Sequence, residues 1–385
     1  MAGTIRKRTW TNRNGEVRTV WQADYFDQRR QRHKKQFTTK KAADAWLSQA
    51  KIEVRDGTHT PDSASATIGE AAELWLQRCR ANGLERGSLR TYEQYLRLAI
   101  VPRLGQTRLS RLTAGMVEEF RDDLLECCAY LRARRILGAL RQVLKHAQGR
   151  GLAAQNVASG VRINDRPRDS QQLEIGRSIP TREEAARLFT GADGWLRIMI
   201  LLAASTGLRS GELRGLTWDA VDLKAERIVV RSRADQWGTA GKPKSKAGQR
   251  TLDLTPAVAA ELRQWWATPG RHPVYVFPGR DGIKPLAPST VAIAVADLQV
   301  KLGITKTVKA KGKPAVKPKY VLHELRHFFA SALIELGYTS KRLQVVMGHN
   351  KAATTYDIYG HLFPEPGDRK ERLAALESFV FGKPS

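Results

Sequence analysis

Cysteine is nearly missing from this chain: 385 residues contain three. Cys127 and Cys128 are adjacent, a spacing that cannot easily close on itself, and with Cys79 they match no C-x-x-C metal pattern. A disulfide scaffold and a zinc-thiolate site are therefore not supported, and the three read as small buried hydrophobes in helices. Long apolar runs are missing as well; none approaches the roughly 20 residues that a membrane-spanning helix needs. The N-terminus is polar and basic rather than signal-like, and neither a lipidation motif nor a basic amphipathic helix occurs, so a soluble, cytoplasmic protein with no membrane partner is expected. No carboxylate cluster with metal-ligand spacing and no glycine-rich phosphate loop is found, so no metal and no other cofactor is expected. Acidic residues are scarce too: 38 Asp and Glu stand against 65 Lys and Arg, a net charge of +27. The excess runs along the whole chain rather than in one tail. Several domains should therefore face a polyanion, and nucleic acid is the natural one.

The length and a hydrophobic content of 42% allow two or three cores. In residues 1–60, TIRKRTW, VRTVWQADYFD and HKKQFTT alternate apolar and basic residues at period two, and Asn-Gly supplies a tight turn after the first. Three short strands should result, followed by a helix whose Ala42, Ala45, Trp46, Gln49 and Ile52 are spaced to cover the sheet. Trp10, Arg18 and Trp21 either line the open sheet face toward a DNA groove or, for the tryptophans, build the small core. Residues 61–66 are a linker without periodicity. Thr67 and Glu70 then form a capping box that opens a bundle of four amphipathic helices over 67–161. Arg86, Arg90, Arg97, Arg132, Arg134, Arg135, Arg141 and Lys145 crowd its polar faces, either as a solvated surface or as a contact to DNA backbone. Residues 162–178 read as a second linker.

From 179 onward a capped helix at Thr181–Glu184 is followed by the nearly all-apolar WLRIMILLAAST, the centre of a third core. That helix breaks at Gly207, so the guanidinium of Arg209 emerges from a rigid base, as a preorganised phosphate clamp would be mounted. RIVVRS and QRTLDL are strands on either side of a Gly- and Lys-rich hairpin tip. Residues 305–320, TKTVKAKGKPAVKPKY, have no apolar face and read as a flexible loop that adds affinity for DNA backbone. In HELRHFFASALIEL, His323 and Arg326 lie three apart and project from one helical face. A short helix, SKRLQVVM, stops at Gly348, whose turn presents His349. Tyr359 closes ATTYDIYGH just before a glycine that breaks the helix again. Two imidazoles, a guanidinium and a phenol, folded back by glycine turns, can converge on one point. That set suits a phosphodiester, where a weak nucleophile needs a neutralised phosphate and a proton acceptor.

The order H-x-x-R, then Met347-Gly348-His349 in place of Leu-Gly-His, then a Tyr followed two residues later by His361, resembles the C-terminal signature of the tyrosine recombinases, the phage integrase family. TGLRSGEL at 206–213 resembles that family's first box. The resemblance implies a catalytic set of Arg209, Lys244, His323, Arg326, His349 and Tyr359. Arg209 and Arg326 would hold the phosphate, Tyr359 would attack it to give a 3′-phosphotyrosine, and His323 would accept the phenol proton. Lys244, in Pro243-Lys244-Ser245, would protonate the leaving oxygen, with Lys246 as the alternative, and His349 would hydrogen-bond the phosphate. Glu212 is either an orienting carboxylate for this set or a plain helix-surface residue. The implied fold is multidomain: a small β-sheet plus helix that binds arm-type DNA sites, an all-α bundle for core sites, and a mainly α catalytic domain at 179–385 with a small antiparallel sheet, the DNA breaking-rejoining fold. Implied partners are double-stranded DNA with core and arm attachment sites, a homo-tetramer of the chain on that DNA, a bending protein like integration host factor, and an excisionase. The last helix, with Leu373, Leu376, Phe379 and Val380 as its stripe, packs on its own domain or docks into a neighbouring protomer. A type IB topoisomerase would use the same reaction without joining two duplexes. A noncatalytic DNA-binding regulator would have no use for the full set.

Overall fold

The computed structural model of the chain describes residues 3–12, 14–26, 31–55, 65–164, 173–243, 245–310 and 313–363, in two compact units, Met1–Arg166 and Pro167–Ser385. The first unit opens with an antiparallel sheet of β1 (Thr4–Thr11), β2 (Val17–Phe26) and β3 (Arg32–Phe37), in that order, followed by helix α1 (Lys40–Arg55). Pairing Ile5 with Ala23 and Trp21 with Phe37 puts Ile5, Trp21, Ala23, Tyr25 and Phe37 on one face. The helix covers that face with Ala43, Leu47, Ala50 and Val54; of the expected stripe Trp46 packs there, against Tyr25 and Phe37, while Ala42, Ala45, Gln49 and Ile52 are exposed. Both stripes satisfy the helical period, and the buried one carries no polar side chain, whereas the expected one carries Gln49. Trp21 accordingly packs against the core, whereas Trp10 and Arg18 are paired on the open side.

The bundle contains α2 (Ile68–Ala81), α3 (Arg86–Tyr95), which runs through a π-helical turn at Leu96–Ile100 into α4 (Val101–Leu104), α5 (Ala114–Cys127) and α6 (Tyr130–Gly149). The head of α2 is closed by the expected box: Glu70 N–H donates to Thr67 Oγ1 at 3.2 Å and Thr67 N–H donates to Glu70 Oε2 at 2.7 Å. Ile68, Trp75, Ile100, Phe120, Leu137 and Leu144 share its core. None of the three cysteines is buried; Cys127 is exposed at the end of α5, and Cys79 and Cys128 are partly covered.

The second unit is built around α8 (Gly194–Thr206), which is apolar on all sides and packs against α7 (Arg182–Gly191), α10 (Pro256–Trp266) and α12 (Leu322–Glu335). Between α8 and α10 the chain forms α9 (Ser210–Arg214) and a sheet ordered β4 (Val221–Asp222), β5 (Arg227–Val230), β8 (Arg250–Asp253). The hairpin inside that sheet carries the short pair β6 (Arg233–Ala234) and β7 (Ala240–Gly241). After α11 (Pro288–Lys301) the lysine-rich stretch is not a loop: β9 (Thr305–Ala310) and β10 (Lys313–Pro318) form an antiparallel ribbon. By register, Lys306, Lys313 and Lys317 share one face of the ribbon and Lys309 lies on the other, so its lysines follow no strict alternation. Pro314 and Pro318 share one parity, which suits a register in which the missing N–H groups face away from the one partner strand. The ribbon leads into Tyr320, whose hydroxyl donates to Glu184 Oε2 at 2.7 Å while Lys319 Nζ donates to Glu184 Oε1 at 2.6 Å. The capping carboxylate of α7 thereby fixes where α12 begins. The unit continues with α13 (Ser340–Met347) and α14 (Ala352–Tyr359). Among the described residues no helix is long and apolar enough to cross a membrane. The stripe Leu373, Leu376, Phe379 and Val380 lies outside the described residues, as does Lys244.

Candidate active site

Two left-handed glycines build the floor of the site. Gly207 ends α8 at φ +63°, and a Cβ there would lie 2.5 Å from the ring of Phe329, so no larger residue fits. Gly348 ends α13 at the same φ of +63°, with a Cβ position 2.9 Å from the Ala247 carbonyl oxygen. Beyond Gly207, Arg209 begins α9. Its Nη1 donates to Glu212 Oε1 at 2.8 Å and its Nη2 to the Gly348 carbonyl at 3.0 Å. Its backbone N–H donates to Glu212 Oε2 at 3.0 Å.

Glu212 is a buried carboxylate rather than a surface one, 4% exposed. Arg250 on β8 donates to it twice, Nη2 to Oε2 at 2.9 Å and Nη1 to Oε1 at 3.3 Å, and sends Nε to the Val346 carbonyl at 2.8 Å. Burial alone would raise the carboxyl pKa; the bonds from Arg250 and Arg209 outweigh it and hold the pKa below its ordinary value. Glu212 therefore remains an anion that fixes two guanidiniums.

Arg326 on α12 is 2% exposed. Its Nη1 donates to the Gly207 carbonyl, and its Nη2 donates to the Met347 carbonyl at 2.5 Å and to His349 Nε2 at 3.1 Å. Arg326 and Arg209 thus bond the consecutive carbonyls of Met347 and Gly348. Burial, and then the charge of Arg209, lowers the Arg326 pKa to about 9. A guanidinium only donates, so His349 Nε2 is the acceptor and the imidazole proton sits on Nδ1, 2.9 Å from Thr355 Oγ1. Burial, and then Arg326 and Arg209, push the His349 pKa down to about 4.

Tyr359 is 1% exposed and lies parallel to His349, with ring centroids 6.3 Å apart and an interplanar angle of 9°. Burial raises its pKa to about 12 against the pull of Arg326 and Arg209. The next residue does not break the chain direction: Gly360 has φ −52° and continues into a 3-10 turn, Gly360–Leu362. The phenol oxygen is hydrogen-bonded to His327 Nδ1 at 2.8 Å, and not to His323 as the family resemblance implies. His323 is one helical turn earlier and more exposed, its ring edge-on to His327 with centroids 4.9 Å apart. Partial desolvation, and then Arg326 and Arg209, lower its pKa as well. A cleft of about 340 Å³ reaches the Arg209 and His349 side of the site, lined by Arg209, Glu212, Arg233, Ser245, His349 and Thr354. Lys246 begins the 3-10 turn Lys246–Gly248, whose last carbonyl accepts from Arg250 Nη1 at 3.1 Å.

The description Phage integrase family matches residues 181–365, and Phage integrase, N-terminal SAM-like domain, matches residues 67–125. Tyrosine recombinase XerC of Xylella fastidiosa is 30% identical over 236 residues, covering 60% of this chain and 69% of that protein. The chain belongs to the phage integrase family of tyrosine recombinases. A XerC-like tyrosine recombinase of Caldanaerobacter subterraneus subsp. tengcongensis is 24% identical over 358 residues, 88% of this chain and 89% of that one. Among solved structures, the recombinase fold is similar to the Tn1549 transposon integrase in complex with transposon right end DNA, with a TM-score of 0.62 at 18% identity over 82% of this chain and 100% of that one. It is also similar to a lambda integrase tetramer bound to a Holliday junction, with a TM-score of 0.55 at 18% identity over 89% and 96% of the two chains. The helix-rich architecture with small antiparallel sheets is that of this family.

Two residues of the recombinase site escaped the sequence reading. Arg250 opens the QRTLDL strand, and its placement beside Glu212 comes from the pairing of β8 with β5. His327 follows Arg326 directly and stands four residues after His323, a spacing that puts the two imidazoles on one helical face. The neutral His349 also sets a pH dependence. An unfolded histidine titrates near pH 6.5 and binds its proton first, so stability is full above that value and is lost as pH falls toward 4. The loss from His349 alone is expected to reach about 3 kcal/mol. Thermal denaturation across this range should show the fall, and His349→Gln should remove its share, leaving the part contributed by His327, which is likewise held near 4.

Proposed function

We propose that this recombinase moves a mobile element into or out of a chromosome by cutting and resealing double-stranded DNA at attachment sites, with Tyr359 as the covalent carrier. The observation that carries the reading is the convergence of Arg209 and Arg326 on the carbonyls of Met347 and Gly348, beside a histidine that stacks on a buried phenol. Guanidiniums held this way, by carbonyls and by Glu212, are already oriented when a phosphate arrives, and they stabilise the charge that grows on its nonbridging oxygens. His323 reaches the same phosphate from the exposed end of α12. His349 accepts from Arg326 at rest; the charge of the phosphate favours a proton on Nε2, which then donates to it. Lys244, assigned from the family resemblance, protonates the leaving 5′ oxygen.

The remaining chain supplies DNA affinity. Residues 1–60 read arm sites with the open face of the sheet, where Arg6, Arg8 and Arg18 surround Trp10. The bundle at 67–161 holds core-site backbone, with linkers at 61–66 and 162–178 and the catalytic domain at 179–385. Lys306 directly opposite Lys317 is a repulsive cross-strand pair that a polyanion would relieve. The recombinase works in the cytoplasm as a homo-tetramer on DNA, with a bending protein and an excisionase setting direction. A nicked half-site DNA incubated with the protein and a chelator tests the reading: a 3′-linked adduct with a free 5′ hydroxyl is expected without metal or ATP. Two site-bearing plasmids should then be joined. Relaxation of supercoils without joining would support a topoisomerase instead, and no adduct would overturn the enzymatic reading.

A further inference from the structure

In a cleavage step the proton on the attacking phenol has to go to a specific atom. We propose that His327, rather than His323, takes the proton of Tyr359 when the phosphotyrosine bond forms and returns it on resealing. The assignment rests on the covalent reading above and on one contact: the oxygen that must attack is hydrogen-bonded to His327 Nδ1, 2.8 Å away. In the neutral tautomer that carries its proton on Nε2, Nδ1 is the empty site that the phenol proton enters. A buried tyrosine commonly finds some partner, and a carbonyl oxygen would have served that purpose. Here the partner is a titratable base, half-buried on the helix that also carries Arg326. The exposed His323 ring lies edge-on to His327, with centroids 4.9 Å apart.

In the step, the Oη–H bond of Tyr359 breaks toward His327 Nδ1, the Oη–P bond forms and the P–O5′ bond breaks. The 5′ oxygen leaves with a proton from the hairpin lysine or from water. Without DNA the transfer is opposed, because burial and then the neighbouring His323 and Arg326 hold the His327 pKa near 4. A scissile phosphate brings the negative charge that offsets the guanidiniums, so the nucleophile is quiet until substrate is in place.

The test is single-turnover adduct formation on half-site DNA between about pH 6 and about pH 10, for wild type, His327→Ala, His327→Asn and His323→Ala. His327→Ala is expected to be slower by about 10²–10³-fold near neutral pH, with a rate that climbs roughly tenfold per pH unit as hydroxide replaces the base. Its DNA affinity should be unchanged. A 5′-bridging sulfur at the scissile phosphate, which removes the need for a general acid, should not restore it. Asn places an acceptor near the same spot but cannot take a proton, so it should share the defect and the pH slope. It also carries the test if the alanine variant fails to fold. Wild-type rates in His327→Ala, full recovery with a wild-type pH profile in His327→Asn, or the pH slope appearing in His323→Ala instead would each overturn the assignment. A wild-type protein that forms no adduct would fail the covalent reading itself, a distinguishable result.

Discussion

Tyr359→Phe is expected to form no covalent adduct, a loss of at least about 10⁴-fold, on the scale seen when an enzymatic nucleophile is removed. The change deletes one oxygen. The ring stays parallel to His349, so DNA binding should persist, and the folded state loses only the hydroxyl bond to His327. Leaving that half-buried imidazole nitrogen without its partner costs about 1–3 kcal/mol, too little to unfold the domain. The matched control is Tyr356→Phe. That ring is 57% exposed and its hydroxyl accepts from Ser340 Oγ at 2.9 Å, so the rate should stay within about twofold of wild type. Denaturing gels of labelled half-site DNA check both variants.

Glu212→Ala should have the largest effect on stability. It strips the side chain of Arg250, which is 5% exposed, of two charge-assisted bonds, and removes the cap on the Arg209 backbone. Breaking a buried pair by deleting one partner costs about 3–5 kcal/mol because a charge is left uncompensated. In a domain of this size that corresponds to a Tm lower by about 6–20 °C. Adduct formation should also slow by roughly 10²-fold or more in the folded fraction, since Arg209 loses the bond that aims it. The same residue gives a second acid limb. Its folded pKa is depressed, so its stabilisation is present above the ordinary carboxylate range and is lost as pH falls through the lower folded value. That limb lies below the histidine limb between about 4 and 6.5. Thermal scans of wild type and Glu212→Gln across both windows separate them.

The parts of the site legible in the sequence are those set by local punctuation. Gly207 and Gly348 both take φ +63°, and each glycine could be read as a turn that presents the next functional side chain. The capping boxes at Thr67 and Thr181 are likewise local, and both form as expected. What could not be read depends on how elements pack. Glu212 and Arg250 are 38 residues apart and meet only because β8 pairs with β5. The choice of His327 over His323 as the phenol's partner is fixed by how α14 lies against α12, and helical periodicity puts both rings on the same face. In α1 two stripes satisfied the same period, and the one without a polar residue faces the sheet, with Trp46 of the other packing on it as well. In β9 and β10 the lysines follow no period-two pattern, and the ribbon is held by backbone pairing that the side chains do not announce.

Isolation of the peptide that stays linked to cleaved half-site DNA, followed by mass-spectrometric sequencing, addresses the convergence of these groups most directly. The linked residue should be Tyr359, attached to the 3′ phosphate, in material prepared with a chelator present. A linkage through Tyr356, or through any residue outside the 352–361 segment, would contradict the account.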